Sequence, residues 1–407
     1  MRGGFIRALA FAGALRAVAA PSASTVAVLV ILVSGMQPIP GVVAQSVSVR
    51  DSVGVRIVES PAKSSVPVRY TLSTTGVVRL GGRANRSSRE FNHNSGYLGG
   101  IHLSDGRIVV SDRDRLHWFD ARGLFLRSMG RSGDGPGEFR YITSICRSRA
   151  DTLVVWDDGN RRIGIVSPEG GFIRHLVATG SSPSVQACLD SGQVLLVGPD
   201  IGAKQVLAGR LIDLSGNVVS RGFQFPSGSY DAVPRVTSQV ASGTRLIVGD
   251  GRNNEYRTFS ADGRLIQVVR TRDRVRRISD PEYERLLDFL VPSQPKKKEI
   301  TARLRAQRSS TEWPSYGRIL ADSHGCVWLQ DYHIPDRAPA AESWVGFSQD
   351  GRMMGRLLLP LAEGVAQRQL VAVRQNIAQV RERDSEGFLT LVFARIEPSR
   401  PDFACHP

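Results

Sequence analysis

A short pattern of apolar and polar residues recurs along the chain: an apolar strand, a turn that ends in glycine, and a second apolar strand. Six such turns are spaced by 47, 47, 46, 47 and 88 residues. Each begins with Ser or Asp and ends with a glycine that can adopt positive φ, which is hairpin chemistry. The glycines are Gly76, Gly123, Gly170, Gly216, Gly263 and Gly351.

A second apolar hairpin precedes most of these turns, as in Ile101–Asp112 and Cys188–Val197. Two hairpins in about 45 residues make a four-stranded blade, and repeated blades predict a β-propeller. Counting turns gives six blades, closed by N- and C-terminal strands. We expect residues 66–81 to supply the outer two strands of the blade whose inner strands lie at about 372–396. The fold class is therefore all-β, with one six-bladed domain over residues 45–407.

The long interval of 88 residues indicates a helical insertion between blades four and five, at about residues 271–318. Leu286, Leu287 and Leu290 have helical spacing, and Asp280 before Pro281 fits a helix start. The insertion either forms a binding surface or only packs as a lid on the blade tips.

Residues 1–44 have the pattern of a secretory signal peptide. Three arginines precede a stretch from Ala17 to Val49 without any charged residue, and the dense apolar run covers only nine residues, from Thr25 to Val33. That run is much shorter than a membrane-spanning helix of about 20 residues. We expect a secreted or periplasmic protein without a stable transmembrane anchor after cleavage, the alternative being a leader retained as an anchor.

The charge is strongly positive, at +15 for the whole chain. Without residues 1–44, 50 basic and 38 acidic residues remain, and residues 270–308 hold twelve basic and six acidic ones. For an exported protein this favours a protein, glycan or other acidic surface as partner over nucleic acid. We expect a monomer whose binding residues lie in the basic insertion. The candidate residues are Lys296, Lys297, Lys298, Arg303 and Arg305.

The histidines do not show a metal-binding spacing along the chain. His102 and His324 lie in the first hairpins of blades one and five, so they are the best candidates for a Ca or Zn site at the axis. Acids that end the second strands, such as Asp157, Asp250 and Asp331, could form a carboxylate ring or simply cap their own turns. We predict no cofactor, and no catalytic serine motif is present in the sequence.

Four cysteines are too few for a disulfide-built scaffold. Cys146 and Cys188 occupy matching positions in successive blades and either form a disulfide or remain two buried thiols. Cys326 and Cys405 are then the second candidate pair, which would hold the C-terminal tail.

The segment Val110–Phe139, with its Gly-rich turn before Glu138-Phe139, resembles NHL-type six-bladed propellers. It is most similar to their exported, largely uncharacterised bacterial branch, and Trp313–Tyr316 also fits. The resemblance implies the fold and leaves the activity open, because most such propellers are binding scaffolds and a minority are metal-dependent lyases. Our leading hypothesis is a non-enzymatic binding propeller. The alternative is a metal-dependent lyase or hydrolase with its site at the axis.

Overall fold

The computed structural model describes residues 47–82, 91, 98–177, 184–200, 206–226, 232–233, 237–292, 296–337 and 340–400. Contacts divide the chain into residues 1–44 and 45–407, and the described residues all belong to the second unit. The expected signal peptide therefore lies outside the described residues. In the described residues, no helix is long and apolar enough to cross a membrane.

Four short strands begin the described chain, before the first complete blade. They are β1 (Ser48–Ser52), β2 (Val55–Ser60), β3 (Val68–Leu72) and β4 (Val78–Gly81). Instead of forming one sheet together, they add to blades that lie much later in the sequence.

Four antiparallel blades follow, and the strands of each are in sequence order from the channel outward. Blade one contains β5 (Leu98–His102), β6 (Ile108–Asp112), β7 (Arg115–Phe119) and β8 (Phe125–Met129). Blade two contains β9 (Ile142–Arg147), β10 (Leu153–Asp157), β11 (Arg162–Val166) and β12 (Phe172–Val177). Blade three contains β13 (Ser184–Cys188), β14 (Gln193–Pro199), β15 (Val206–Asp213) and β16 (Val218–Pro226). Blade four contains β17 (Ser238–Ser242), β18 (Arg245–Gly249), β19 (Glu255–Ser260) and β20 (Leu265–Thr271).

The last two blades come after the insertion. Blade five contains β21 (Ile319–Ala321), β22 (Val327–Gln330), β23 (Ala341–Phe347) and β24 (Met353–Pro360). Blade six contains β25 (Val365–Arg374), β26 (Ile377–Asp384) and β27 (Leu389–Pro398). Strand β4 pairs with β27 and completes blade six, so the two ends of the domain close the ring as expected.

The division of blade six differs from our prediction, since the C-terminal segment supplies three strands and the N-terminal segment one. The hairpin between β25 and β26 turns through Gln375 and Asn376, which have φ of 47° and 61°. This two-residue turn contains no glycine, so the glycine pattern did not reveal it. Strand β3 pairs with β24 of blade five and also with the end of β27, and β2 runs parallel to β20 on the outside of blade four.

Two helices form the predicted insertion, α1 (Asp280–Leu290) and α2 (Lys297–Ala306). Helix α1 is capped by Ser279 rather than Asp280, because the Ser279 N–H and Oγ both donate to the Glu282 carboxylate. Tyr283, Leu286 and Leu287 face inward and share an apolar cluster with Trp313 and Ile334 at blade five. The insertion is thus packed on the propeller rather than projecting from it.

The core is a ring of apolar clusters, one between each pair of neighbouring blades, including blades six and one. Successive side chains of a strand point to opposite faces of its blade, so each strand packs against both neighbouring blades. This is why strands with apolar residues on both faces recur. Four of the five tryptophans, Trp118, Trp156, Trp328 and Trp344, lie in these clusters. The Trp118 indole N–H also donates to the Pro168 carbonyl of the next blade at 2.8 Å. This packing fixes the loops at both ends of the blades.

Candidate functional site: a basic cleft beside the helical insertion

A cleft of about 660 Å³ opens at the junction of blades four and five, next to the insertion. Loops after β18, β20 and β22 and the segment before β21 form it, with a contribution from the loop between β2 and β3. Its charged lining residues are Lys63, Arg252, Glu255, Arg270, Asp273, Arg274, Arg276, Glu312, Asp331 and Arg356. Six of these are basic and four acidic, so the lining carries a positive excess.

One wall is a network of charges that neutralise each other. The Lys63 ammonium is 4 % exposed and contacts Asp273, which also accepts from the Lys63 backbone N–H at 2.9 Å and from Thr271 Oγ1 at 2.6 Å. Arg356 contacts Asp331 and donates to the Lys63 carbonyl at 2.6 Å. Buried charges need such pairing, so this wall is rigid and electrically satisfied.

Glu255 is likewise neutralised inside the cleft. Burial raises the pKa of its carboxyl, but hydrogen bonds from Arg270 and Arg257 outweigh burial and hold that pKa below its ordinary value. The two guanidinium groups lie 2.8 and 2.7 Å from the carboxylate. Glu255 is therefore ionised and paired, and it offers little negative charge to a ligand.

Arg274 and Arg276 differ from the wall because neither has a carboxylate partner within the described part of the chain. Both are exposed, and the Arg276 guanidinium lies 5.7 Å from the centroid of the Trp313 ring. Trp313 is 5 % exposed, and its indole N–H is buried without an acceptor among the described residues. The cleft thus presents two guanidinium groups that have no acidic partner among the described residues, and the Trp313 ring packs against one of them.

The binding residues predicted in the insertion do not line this cleft. Three of them have acidic neighbours: Lys297 Nζ lies 3.1 Å from Asp288, Arg305 donates twice to Glu284, and Lys296 lies 4.0 Å from Glu299. Lys298 and Arg303 are exposed and have no carboxylate partner in the ranges that the structure describes. The basic helix α2 is therefore largely balanced by acids of its own insertion.

The two predicted metal ligands are not brought together. His102 lines the central channel, where burial and the nearby Arg374 and Arg147 lower its pKa to about 4. His324 lies exposed in the turn after β21, where its backbone N–H donates to Asp322 at 2.9 Å. Arginines beside His102 oppose a cation, so these residues do not fit a Ca or Zn site. In the described residues, no group of three or more metal-ligating side chains occurs.

Two of the acids that end the second strands, Asp157 and Asp250, act in turns and connectors, whereas Asp331 pairs with Arg356 in the cleft. Asp157 is fully buried and accepts from the backbone N–H groups of Arg140 and Tyr141, at 3.1 and 3.0 Å. Asp250 accepts from the Arg252 N–H at 2.9 Å. These contacts account for the acids of blades two and four.

Cys146 and Cys188 form a disulfide between the first strands of blades two and three, with a Cα–Cα distance of 5.8 Å. Cys326 is also disulfide-bonded. Its expected partner, Cys405, lies outside the described residues.

Sequence reasoning missed the cleft residues Arg274, Arg276 and Trp313 as a site. The sequence contained a signal for this site, because Arg272, Arg274 and Arg276 are two positions apart. In an extended segment, residues with that spacing point to the same side. What the sequence does not reveal is that Arg272 lies 3.5 Å from Glu59, while Arg274 and Arg276 have no such partner among the residues that the structure describes.

Comparison with known proteins agrees with this fold. A family model described as "DUF5128: 6-bladed beta-propeller" matches residues 93–165. A solved structure from Bacteroides fragilis, of a protein described as exported, has 13 % identity and a TM-score of 0.53, and the alignment covers 84 % of this chain and 99 % of that one. The chain is a six-bladed β-propeller.

More distant similarities add no functional argument. A member of the DUF4221 family from Bacteroides vulgatus has 12 % identity and a TM-score of 0.49, with coverage of 81 % of this chain and 98 % of that one. Virginiamycin B lyase from Staphylococcus aureus has 10 % identity and a TM-score of 0.40, with coverage of 80 % and 94 %. No curated protein matches the sequence. The NHL-type resemblance stays an expectation.

Proposed function

We propose that this chain is an exported binding propeller whose cleft beside the insertion binds carboxylate groups of an acidic protein partner. The observation that carries the proposal is the pair of exposed guanidinium groups on Arg274 and Arg276, which have no acidic partner in the described residues. The Lys63–Asp273, Arg356–Asp331 and Arg270–Glu255 pairs of the cleft are already neutralised, which leaves Arg274 and Arg276 as cationic groups without an acidic partner among the described residues.

The chemistry of the cleft supports a carboxylate ligand. A guanidinium group presents a planar fork of N–H donors that matches a carboxylate in two parallel hydrogen bonds. The ring of Trp313 lies against the Arg276 guanidinium, a contact that positions this group for a ligand. A volume of about 660 Å³ lies within the range of ligand sites, about 300–1,000 Å³, and accommodates a few residues of an acidic segment.

Three observations support export. The leader has the order of charge and hydrophobicity of a secretory signal. The chain contains disulfides, which persist outside the reducing cytosol. The Bacteroides fragilis neighbour is described as exported. The first two support a secreted or periplasmic location, and the third is consistent with it.

Fluorescence anisotropy of a fluorescein-labelled deca-glutamate peptide tests the proposal. The chain is expressed with its own leader, purified and titrated against the peptide at about 0.1 M salt. The variant R274Q/R276Q should bind at least about tenfold more weakly, since hydrogen bonds to charged groups contribute about 1.5–3 kcal/mol each before screening by solvent and salt.

A matched control separates the cleft from the overall positive charge. R264Q/R352Q removes the same two charges from Arg264 and Arg352, which are 80 % and 66 % exposed in hairpins remote from the cleft lining. This control should bind like the wild type. If both double variants lost peptide affinity equally, or if neither lost any, the proposed site would be contradicted.

A further inference from the structure

A second cavity, of about 240 Å³, lies in the central channel and is lined by the first strand of every blade. It is at the opposite end of these strands from the basic cleft. The segment 312–315 lines the cleft before it leads into β21, whereas Ala321 at the far end of β21 lines the channel cavity. The two sites are therefore separate.

Two arginines and a histidine from three different blades converge on this cavity. Arg147 ends β9, Arg374 ends β25 and His102 ends β5, and all three line it. The positive charges of Arg374 and Arg147 also lower the pKa of His102, so the three side chains lie near one another. A propeller axis brings these residues together although they are far apart in sequence.

The arginines are only partly neutralised. Arg147 Nη1 lies 2.6 Å from Asp151, and Arg374 Nη2 lies 3.5 Å from Asp190 of the opposite blade. Across the described residues, the Nε atoms of both arginines and Nε2 of His102 are buried without a hydrogen-bond partner. These nitrogens are sealed from the cavity, so a ligand would meet the two arginines through their other N–H groups, and the positive charges that line this end favour an anionic group.

The rest of the cavity lining is mainly apolar. The first strands contribute Ile145, Ala187, Val240, Leu320 and Val373, and the Cys146–Cys188 disulfide forms part of the same wall. A purely inorganic anion would leave this apolar surface without contacts. An apolar molecule would leave the guanidinium donors unsatisfied, and a cation would be repelled by them.

We propose that the channel cavity binds a short aliphatic carboxylate, with its carboxylate at Arg147 and Arg374 and its hydrocarbon part against the apolar strand residues. The volume lies just below the range of about 300–1,000 Å³ typical of drug-sized ligands, so a ligand of a few carbons fits. His102 is neutral at physiological pH and can add one hydrogen bond without adding charge.

Isothermal titration calorimetry on the purified chain tests this inference, with butanoate as the probe. We expect saturable binding with one butanoate per chain and no binding of butan-1-ol or butan-1-amine. Along the series acetate, butanoate and hexanoate, affinity should rise by about fourfold or more for each added buried CH₂ until the cavity is filled, since each contributes about 0.8 kcal/mol.

Variants assign the binding to the arginines. R374Q should weaken butanoate binding by about tenfold or more, because one of the two guanidinium groups is removed. The control R264Q, in an exposed hairpin, should leave it unchanged. The series of carboxylates of increasing length needs no variant, so it tests the binding of an aliphatic carboxylate even if R374Q fails to fold.

Several results would overturn the inference. They are no saturable butanoate binding, equal binding of butan-1-ol, an affinity for chloride equal to that for butanoate, or full affinity in R374Q. None of these results bears on deca-glutamate binding in the cleft, so this inference and the proposed function succeed or fail separately.

Discussion

The Cys146–Cys188 disulfide should contribute strongly to stability without determining the fold. The two residues are 42 positions apart, and the bond joins the first strands of blades two and three. Closing a loop of that length in the unfolded chain corresponds to about 4 kcal/mol at 25 °C in the chain-entropy description. The apolar cluster between the same blades, which includes Trp156, Ile163 and Val194, remains when the bond is absent.

The double substitution C146A/C188A should therefore fold and keep its far-ultraviolet circular dichroism. Its free energy of unfolding in urea should fall by about 4 kcal/mol relative to the wild type. The single variant C146A is the control, because either substitution alone removes the whole cross-link. The free energy of unfolding should fall by nearly the same amount in both variants. A fall caused by lost packing would be larger in the double variant.

A decrease below about 1 kcal/mol in the double variant would refute this reasoning. It would mean that the bond does not form in the folded protein or that the unfolded chain is restrained in another way. A decrease that doubles from C146A to C146A/C188A would show that side-chain packing, rather than the cross-link, is responsible.

Two further predictions concern buried charged groups. K63M leaves the Asp273 carboxylate without its buried partner, so the free energy of unfolding in urea should fall by about 3–5 kcal/mol. The double variant K63M/D273N should recover part of that loss. An unchanged urea midpoint in K63M would contradict the pairing. The pKa of His102 should be about 4 in an NMR titration, and between pH 6.5 and 4 the unfolded chain binds a proton that the folded chain does not. This residue should therefore lower the free energy of unfolding by roughly 3 kcal/mol as the pH falls through that window, and an ordinary pKa near 6.5 would contradict the burial described for it.

The regular hairpins of this fold could be predicted from sequence because their turns require particular residues. Gly123 and Gly263 have φ of 87° and 88°, which favours glycine, and they mark their hairpins directly. The turn at Gln375-Asn376 adopts positive φ without glycine, so one strand of blade six was assigned wrongly. The helix start was readable too, since Ser279 and Glu282 have the spacing of a capping box.

The candidate sites were less predictable because they depend on residues distant in sequence. Lys63 and Asp273 are 210 positions apart, and their pairing decides which charges in the cleft are neutralised. Arg147 and Arg374 meet only because the ring closes. Composition alone favoured the lysines of α2, although local acids such as Asp288 balance part of that charge. The sequence reveals where charge is abundant, and the fold determines where it is left unpaired.

The indole N–H of Trp313 gives the most direct test of the proposed cleft. The chain has five tryptophans, and a ¹H–¹⁵N spectrum resolves their indole signals, with W313F assigning the one from Trp313. On addition of deca-glutamate, the Trp313 signal should shift, because the Arg276 guanidinium, which lies 5.7 Å from the centre of the Trp313 ring, is drawn to the peptide carboxylates. The Trp156 signal should keep its position in the spectrum, because that indole N–H already donates to Asp158 at 3.2 Å. Peptide binding with an unmoved Trp313 signal would contradict the cleft as the binding site.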